Sequence, residues 1–324
     1  MKNYFSYLSK VKQGIAEAQE RSGLSKFFLW KDYLWCAFRY GTLIKQYVYS
    51  EYWRLSSTVR NDGLTYPRIE KLIDKYNPHS ETHFLQNKEE FNKLYQDFIH
   101  HDWLYVPSSD VDGLKEFLDK YDSIIIKPAK GEDGEGIRVF TLSDNPNINL
   151  KDFYDELNSE SAIIEQLIVQ DPVMSFGTKS VNTIKVTTVT DKNGNVHVMK
   201  SMLRIGIGDS VIDNLATGGA IYDIDIEHGY VSSYGFSKYG EKLVYHPGTD
   251  HVVLGFKIPH WEKVIACAKD AAKRLPQIQI IGWDIAITPE GVDLIEGNHN
   301  PDYLPIEYGS SGFYKKIKQV LKQN

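Results

Sequence analysis

Two carboxylates and an amide near the end of the chain have the spacing that says most about chemistry. They lie in Gly282-Trp283-Asp284-Ile285-Ala286-Ile287-Thr288-Pro289-Glu290-Gly291-Val292-Asp293-Leu294-Ile295-Glu296-Gly297-Asn298. Pro289-Glu290-Gly291 suits a three-residue hairpin loop, with Pro in the first turn position and Gly in the left-handed one. Pairing Thr288 with Val292 then sets Asp284 opposite Glu296, their Cβ atoms about 5 Å apart. Like charges so placed are destabilising unless a cation lies between them, and removing Glu296 should relieve about 0.2–1 kcal/mol. Asn298, two residues along the same face, adds a neutral oxygen. This all-oxygen set suits Mg²⁺ or Mn²⁺ rather than zinc. The alternative is a solvated hairpin without metal; Ile285, Ile287, Leu294 and Ile295 weigh against it, because they make both strands read as buried.

A second constellation precedes it in the chain. The strand-like run ending Ile126-Lys127-Pro128 leads into Ala129-Lys130-Gly131-Glu132-Asp133-Gly134-Glu135-Gly136. Three glycines let backbone N–H groups approach phosphate oxygens, and a lysine on the adjoining strand supplies a compact positive charge. The plain alternative is a glycine-rich hairpin with an edge lysine. No G-x-x-x-x-G-K-[ST] and no helix-opening G-x-G-x-x-G occurs, which excludes two common nucleotide loops. The absence of a G-x-S-x-G elbow or a Cys/His signature argues against a covalent enzyme nucleophile.

The elements that must position these groups follow from the hydrophobic pattern. Short β-branched runs at 123–128 and 162–168 read as inner strands, after helices at 89–99 and 113–121. Strands at 183–190 and 196–205 flank Asn193-Gly194, a hairpin turn. A second hairpin is expected from 219–226 and 229–234. Pro259 opens an amphipathic helix to Leu275 in a first-turn position, strands follow at 278–288 and 292–298, and a helix closes the chain at 312–322. Between Phe27 and Trp53, aromatics and cations recur at helical spacing, broken near Gly41, which predicts two helices. These either pack as core or rest on anionic lipid.

Composition bounds the function class. The chain has 324 residues, 42% of them hydrophobic and 25% charged, which excludes disorder and fibrous repeats. A net charge of −6 argues against a large nucleic-acid footprint. Residues 1–60 nevertheless carry ten Lys/Arg against four Asp/Glu, so a local +6 leaves −12 on the rest. Cys36 and Cys267 are too few for a disulfide framework or a structural zinc site, and a reducing cytoplasm is expected. No apolar run reaches about 18 residues and no signal-type segment opens the sequence, so neither membrane spanning nor secretion is expected.

Taken in order, Lys127-Pro128, the glycine loop, Ile163-Ile164-Glu165-Gln166-Leu167-Ile168, Asp284 and Glu296-Gly297-Asn298 resemble the ATP-grasp superfamily. Val181-Asn182-Thr183-Ile184-Lys185-Val186, Arg204-Ile205-Gly206, Val211-Ile212-Asp213-Asn214 and Gly218-Gly219 are similar to the sugar-transfer-associated ATP-grasp proteins of bacterial polysaccharide clusters. The resemblance implies an α+β fold of two lobes behind a helical N-terminal region: 1–87, a small lobe 88–164 and a large lobe 165–324. It implies that Lys127 and Lys88 contact ATP phosphates, and that Gly131, Gly134 and Gly136 cover them. Glu165, Gln166, Leu167 and Ile168 would meet the adenine, with Gln170 or Asp171 at the ribose. Asp284, Glu296 and Asn298 would ligate Mg²⁺ or Mn²⁺. Arg204 and the Asp213-Asn214 to Gly218-Gly219 loop would hold the carboxylate substrate and its acyl phosphate, and Lys127, Lys185 and Arg204 would neutralise the transferring phosphoryl group; many relatives have Arg where this chain has Lys185. His299 and Asp302 are candidates for proton removal from the amine.

The activity so implied is an ATP-dependent carboxylate–amine ligase acting on small-molecule or glycan-linked substrates in the cytoplasm, with peripheral contact to an anionic membrane through residues 1–60. Its rivals are a kinase that releases a phosphorylated product and a catalytically silent nucleotide-binding scaffold.

Overall fold

A computed structural model describes residues 2–322 apart from 132–135, 209, 211–212, 214–217, 238–240, 250, 302–312 and the side chains of residues 2–6. Gly134, Asn214 and Asp302 therefore lie outside the described residues.

The first helices, α1 (Lys2–Ser22), α2 (Lys26–Tyr40) and α3 (Ile44–Tyr49), build a core of their own with the turn Tyr52–Arg54. Ser25 caps α2 by accepting from the Phe28 amide, and Gly41 ends it in the left-handed conformation (φ 73°), so the expected break falls where glycine permits it. Tyr33, Tyr40, Tyr47, Tyr52 and Trp53 are buried there, while Asp32 on α2 binds Arg60 at 2.6 Å. Two more helices, α4 (Ser57–Asp62) and α5 (Tyr66–Tyr76), lead to the short α6 (His83–Gln86) and α7 (Lys88–Leu94). The helix expected to run to 99 stops at Leu94, because Tyr95 leaves it to pack edge-on against Trp283, ring centroids 5.4 Å apart.

Four strands, β1 (Trp103–Tyr105), β2 (Ser123–Pro128), β3 (Arg138–Thr141) and β4 (Ala162–Gln166), form an antiparallel sheet in the order β1-β4-β2-β3. On one face Ile124, Ile126 and Ile164 pack with Leu114 and Leu118 of α8 (Val111–Lys120) and Phe153 and Leu157 of α9 (Leu150–Ser159). Alternation along the strands sends Lys127 and Glu165 to the other face. β4 ends at Gln166, where the Gln166 carboxamide accepts from the Asp102 amide, so Leu167 and Ile168 are not strand.

The second sheet has seven strands in the order β11-β10-β5-β6-β7-β8-β9, again all antiparallel. They are β5 (Thr183–Thr190), β6 (Val196–Ile205), β7 (Ala220–Asp223), β8 (Gly235–Phe236), β9 (Lys242–Leu243), β10 (Ile280–Thr288) and β11 (Gly291–Asn298). Ile184, Val186, Leu203, Trp283, Ile285 and Leu294 cover one face against Val264, Ala268 and Ala271 of α10 (Trp261–Arg274). His260 stands in the left-handed region (φ 52°), so Pro259 precedes α10 rather than occupying its first turn. The second expected hairpin turns at 225–230, but among the described residues its return arm pairs with the outgoing arm through the isolated bridge Ile224–Val231, while Tyr230 bridges to Lys257. On the opposite face, Val189, Met199 and Ile280 lie under α5 and the closing helix α11 (Phe313–Lys322). Where that cover ends, the same face turns polar.

The β10–β11 hairpin corrects the expected turn. Thr288 pairs with Gly291, leaving a two-residue turn, and a β-bulge between Asp284 and Ile285 skips Ile295. The two offsets cancel, so Asp284 does face Glu296. No helix among the described residues is long and apolar enough to cross a membrane.

Candidate functional site

The polar end of the large sheet collects its charges from four adjacent strands. Lys185 of β5 is the direct neighbour of Asp284 on β10, which in turn faces Glu296 on β11. Lys185 Nζ lies 3.3 Å from Asp284 Oδ1 and Arg204 Nη2 of β6 lies 2.8 Å from Asp284 Oδ2, with Asp284 1% exposed. Arg204 is set from the other side by Asp213, 3.3 Å from the same nitrogen, and by Thr183 Oγ1, which accepts from its Nε at 3.1 Å. Asp213 also takes the Thr183 amide at 2.9 Å and the Thr183 hydroxyl. Its carboxylate thus aims Arg204.

Burial drives the Asp284 carboxyl up to about 7; Arg204 and Lys185 pull it down, and the Glu296 charge adds to the rise. For Glu296 burial acts the same way and is the largest single influence, but Lys185, a hydrogen bond with the Asp284 carboxyl, Arg204 and Asn298 together outweigh it and bring the group to about 2. The repulsion across the hairpin thus falls on Asp284. Removing Glu296 would therefore take a load off Asp284 and at the same time remove a charge that Lys185 and Arg204 stabilise.

Two glycines and one asparagine hold this end in register. A Cβ on Gly297, between Glu296 and Asn298, would stand 2.9 Å from the Trp283 ring, 3.0 Å from Leu85 and 3.1 Å from Phe91. A Cβ on Gly282 would stand 2.7 Å from Pro301 Cβ. Buried Asn77 donates to the Ile280 and His299 carbonyls, at 2.7 Å each, and accepts from the Ile280 amide at 2.9 Å. It ties the start of β10 to the residue after Asn298, so His299 is fixed through its carbonyl.

The small sheet supplies the facing charges. Lys127 is buried and paired with Glu165, and Glu165 Oε2 lies 3.4 Å from His101 Nε2. His101 Nδ1 lies 2.9 Å from Asp293 Oδ2 on β11. This chain joins the two sheets, because Asp293 pairs with Ala286, two residues from Asp284 on one face of β10. Burial opposes the His101 imidazolium, but Asp293 and Glu165 outweigh it and raise the group to about 9. Burial likewise opposes the Glu165 carboxylate; Lys127 and His101 overcome it and hold the group far below the usual range.

Lys88 opens α7 with its amide donating to the Ala129 carbonyl and its Nζ 3.1 Å from the Gly131 carbonyl, so it sits on the glycine loop. Gly136 has φ 76°, and a Cβ there would meet Pro128 Cγ at 2.8 Å. Both observations set the described ends of the loop, Gly131 and Gly136, beside the end of the Lys127 strand. Two expected ribose ligands are otherwise engaged. Gln170 donates to the Ser180 carbonyl and accepts from the Asn182 amide at 2.9 Å each, and Asp171 caps the turn at Pro172–Met174. The sequence reading missed His101, Asp293 and Thr183. An Asp within the apolar run Val292 to Ile295, and a His pair just before β1, were the signals available.

The residues fit a hard divalent cation. Asp284 Oδ1 is buried with the Lys185 ammonium at 3.3 Å but without a hydrogen bond, Glu296 faces it, and Asn298 donates its amide nitrogen to Glu296 Oε1 at 3.0 Å, which leaves its oxygen as the ligating atom. No group of three or more His, Cys, Asp or Glu among the described residues could hold a metal.

Comparison with known proteins adds the following. The profile of a family described as sugar-transfer associated ATP-grasp matches residues 68–322. Among solved structures, N5-carboxyaminoimidazole synthetase from Staphylococcus aureus complexed with ADP is similar with a TM-score of 0.48 and 12% identity, over 74% of this chain and 52% of that one. An ADP complex of N5-carboxyaminoimidazole ribonucleotide synthetase gives 0.46 and 14%, over 73% and 51%. D-alanyl-alanine synthetase A from Vibrio cholerae O1 gives 0.44 and 15%, over 73% and 64%. The chain thus spans about half to two-thirds of the length of these structures. No functionally curated protein is matched by the sequence.

Proposed function

The chain belongs to the sugar-transfer associated ATP-grasp family, and on that premise we propose that it is an ATP-dependent carboxylate–amine ligase working through an acyl phosphate. The observation that carries the reading is the convergence of Lys127, from one sheet, with Lys185, Arg204, Asp284 and Glu296 from the other, across the His101 bridge.

A carboxylate resists amines because its oxygen is a poor leaving group; phosphorylation replaces it with phosphate, which departs readily. Charge then spreads over the transferring phosphoryl group, and fixed cations in a water-poor site stabilise it. Lys185 and Arg204 are such cations, held by Asp284, Asp213 and Thr183 before any substrate arrives. Arg204 also has the planar fork that grips a carboxylate bidentately, whereas Lys185 acts as a point charge. Lys127 reaches a phosphate by turning from Glu165; His101, charged at neutral pH, remains to pair the buried Glu165 carboxylate. A Mg²⁺ held by Asp284, Glu296 and Asn298 would supply charge neutralisation between phosphate oxygens.

The substrates we propose are an amine and a carboxylate within or around a glycan, an amino acid joined to an amino sugar or an amine to a uronic acid, made where cytoplasmic ATP is supplied. ADP and phosphate release across carboxylates, with and without amines, tests the reading. Release that needs both partners supports a ligase. Release with a stable phosphorylated product and no need of an amine identifies a kinase, and nucleotide binding without turnover identifies a scaffold.

A further inference from the structure

Helix α2 presents two apolar stripes on opposite sides. Leu29, Tyr33, Cys36 and Tyr40 point into the N-terminal core. Phe27, Leu34, Trp35 and Phe38 fall together on the other side at helical spacing and are exposed by 82, 57, 55 and 87%. Such a contiguous exposed apolar stripe marks a contact surface.

Its charges select the occupant. Lys31 lies within the stripe, Arg39 at its border and Lys26 at the start of the helix, all exposed. Between Arg21 and Ser50 the only carboxylate is Asp32, which is turned inward and neutralised by Arg60 at 2.6 and 3.1 Å. Every exposed charge on α2 is therefore positive, in a protein whose remainder beyond residue 60 is strongly acidic. A twofold contact with a second copy would set these cations against themselves across the axis. An anionic lipid surface satisfies both properties: its headgroups attract Lys and Arg, and the acyl boundary receives Phe, Leu and Trp. With 15 residues, α2 is too short to span and suits lying in the plane of the interface.

We propose that α2 is a membrane-surface docking helix for anionic lipid, inserting Phe27, Leu34, Trp35 and Phe38 with Lys31 and Arg39 at the headgroups. The proposal is independent of the ligase reading.

The test is flotation of the full chain with vesicles of phosphatidylglycerol and phosphatidylcholine, against phosphatidylcholine alone. At about 50 mM salt the chain floats with the anionic vesicles only, and at about 500 mM it is released as the screening length shortens. Lys31→Gln and Arg39→Gln each weaken binding about fivefold. The triple variant Phe27→Ser, Leu34→Ser, Phe38→Ser loses at least about tenfold. Its melting by circular dichroism and its ADP release on soluble substrates stay as in the wild type, since none of the three side chains enters the core or the site. Absence of binding at low salt, equal binding to phosphatidylcholine alone, or unchanged binding by the triple variant each overturns the proposal. So does a wild-type dimer in light scattering that the triple variant converts to monomer, which would assign the stripe to a second copy.

Discussion

His101→Gln separates the charge that joins the two sheets from the shape that fills the same space. His101 is buried with both ring nitrogens on carboxylates, 2.9 Å from Asp293 and 3.4 Å from Glu165. Its titration stands at about 9 in the fold against 6.5 for the free side chain. A group raised in this way stabilises the folded state fully below about pH 6.5 and loses that contribution as pH rises through 9. The interval between the two values corresponds to about 3 kcal/mol. Glutamine keeps a hydrogen-bond donor but not the charge. Urea unfolding followed by circular dichroism should therefore show the variant less stable than wild type by about 3 kcal/mol at pH 6, with the difference shrinking toward pH 9.5. A difference that stays constant from pH 6 to 9.5 would refute the reasoning, because it would mean that packing alone holds the sheets at this point.

The remaining predictions concern the site itself. Lys127→Ala and Glu296→Gln should each abolish ADP release while circular dichroism shows an intact fold; turnover by either purified variant would contradict the assignment. Asp284→Asn should stabilise the protein without nucleotide, since the wild-type carboxyl is raised to about 7: the gain grows as pH rises from about 4 to about 7 and is constant above, as measured by melting across that range. Gly297→Ala should cost about 1–3 kcal/mol by overpacking Trp283, Leu85 and Phe91, and should weaken metal-dependent nucleotide binding, read by calorimetry. Gly136→Ala should raise KM for ATP more than it lowers the melting temperature, because the left-handed backbone and Pro128 leave no place for its methyl group over the loop.

What could be read from the sequence was local. The lysine before the glycine loop and the β5–β6 hairpin around Asn193-Gly194 rest on residues close in the chain, and turn chemistry fixes such a hairpin; Asp284 meets Glu296 as expected because a shorter turn and a bulge cancel, which no local rule foretells. The partners of those charges were not legible. Asp213 comes 30 residues after Thr183, and His101 lies 192 residues from Asp293, distances at which no periodicity relates one residue to another. The N-terminal aromatics divide for a related reason. Composition counts them together, whereas helical phase sends Tyr33 and Tyr40 inward and Phe27 and Phe38 outward. The core reading describes the inward side of that segment.

The skipped residue Ile295 has a further effect, on which residues of β11 can share a surface. In an unbroken strand, residues an odd number apart point to opposite sides, so Asp293 and Glu296 would be divided between the site and the Trp283 layer. The bulge resets the phase between them, and both carboxylates reach the same face while Leu294 and Gly297 keep the other. One short strand thereby carries two separate addresses: Asp293 meets His101 from the small sheet, and Glu296 faces Asp284 beside the Lys185 and Arg204 cations.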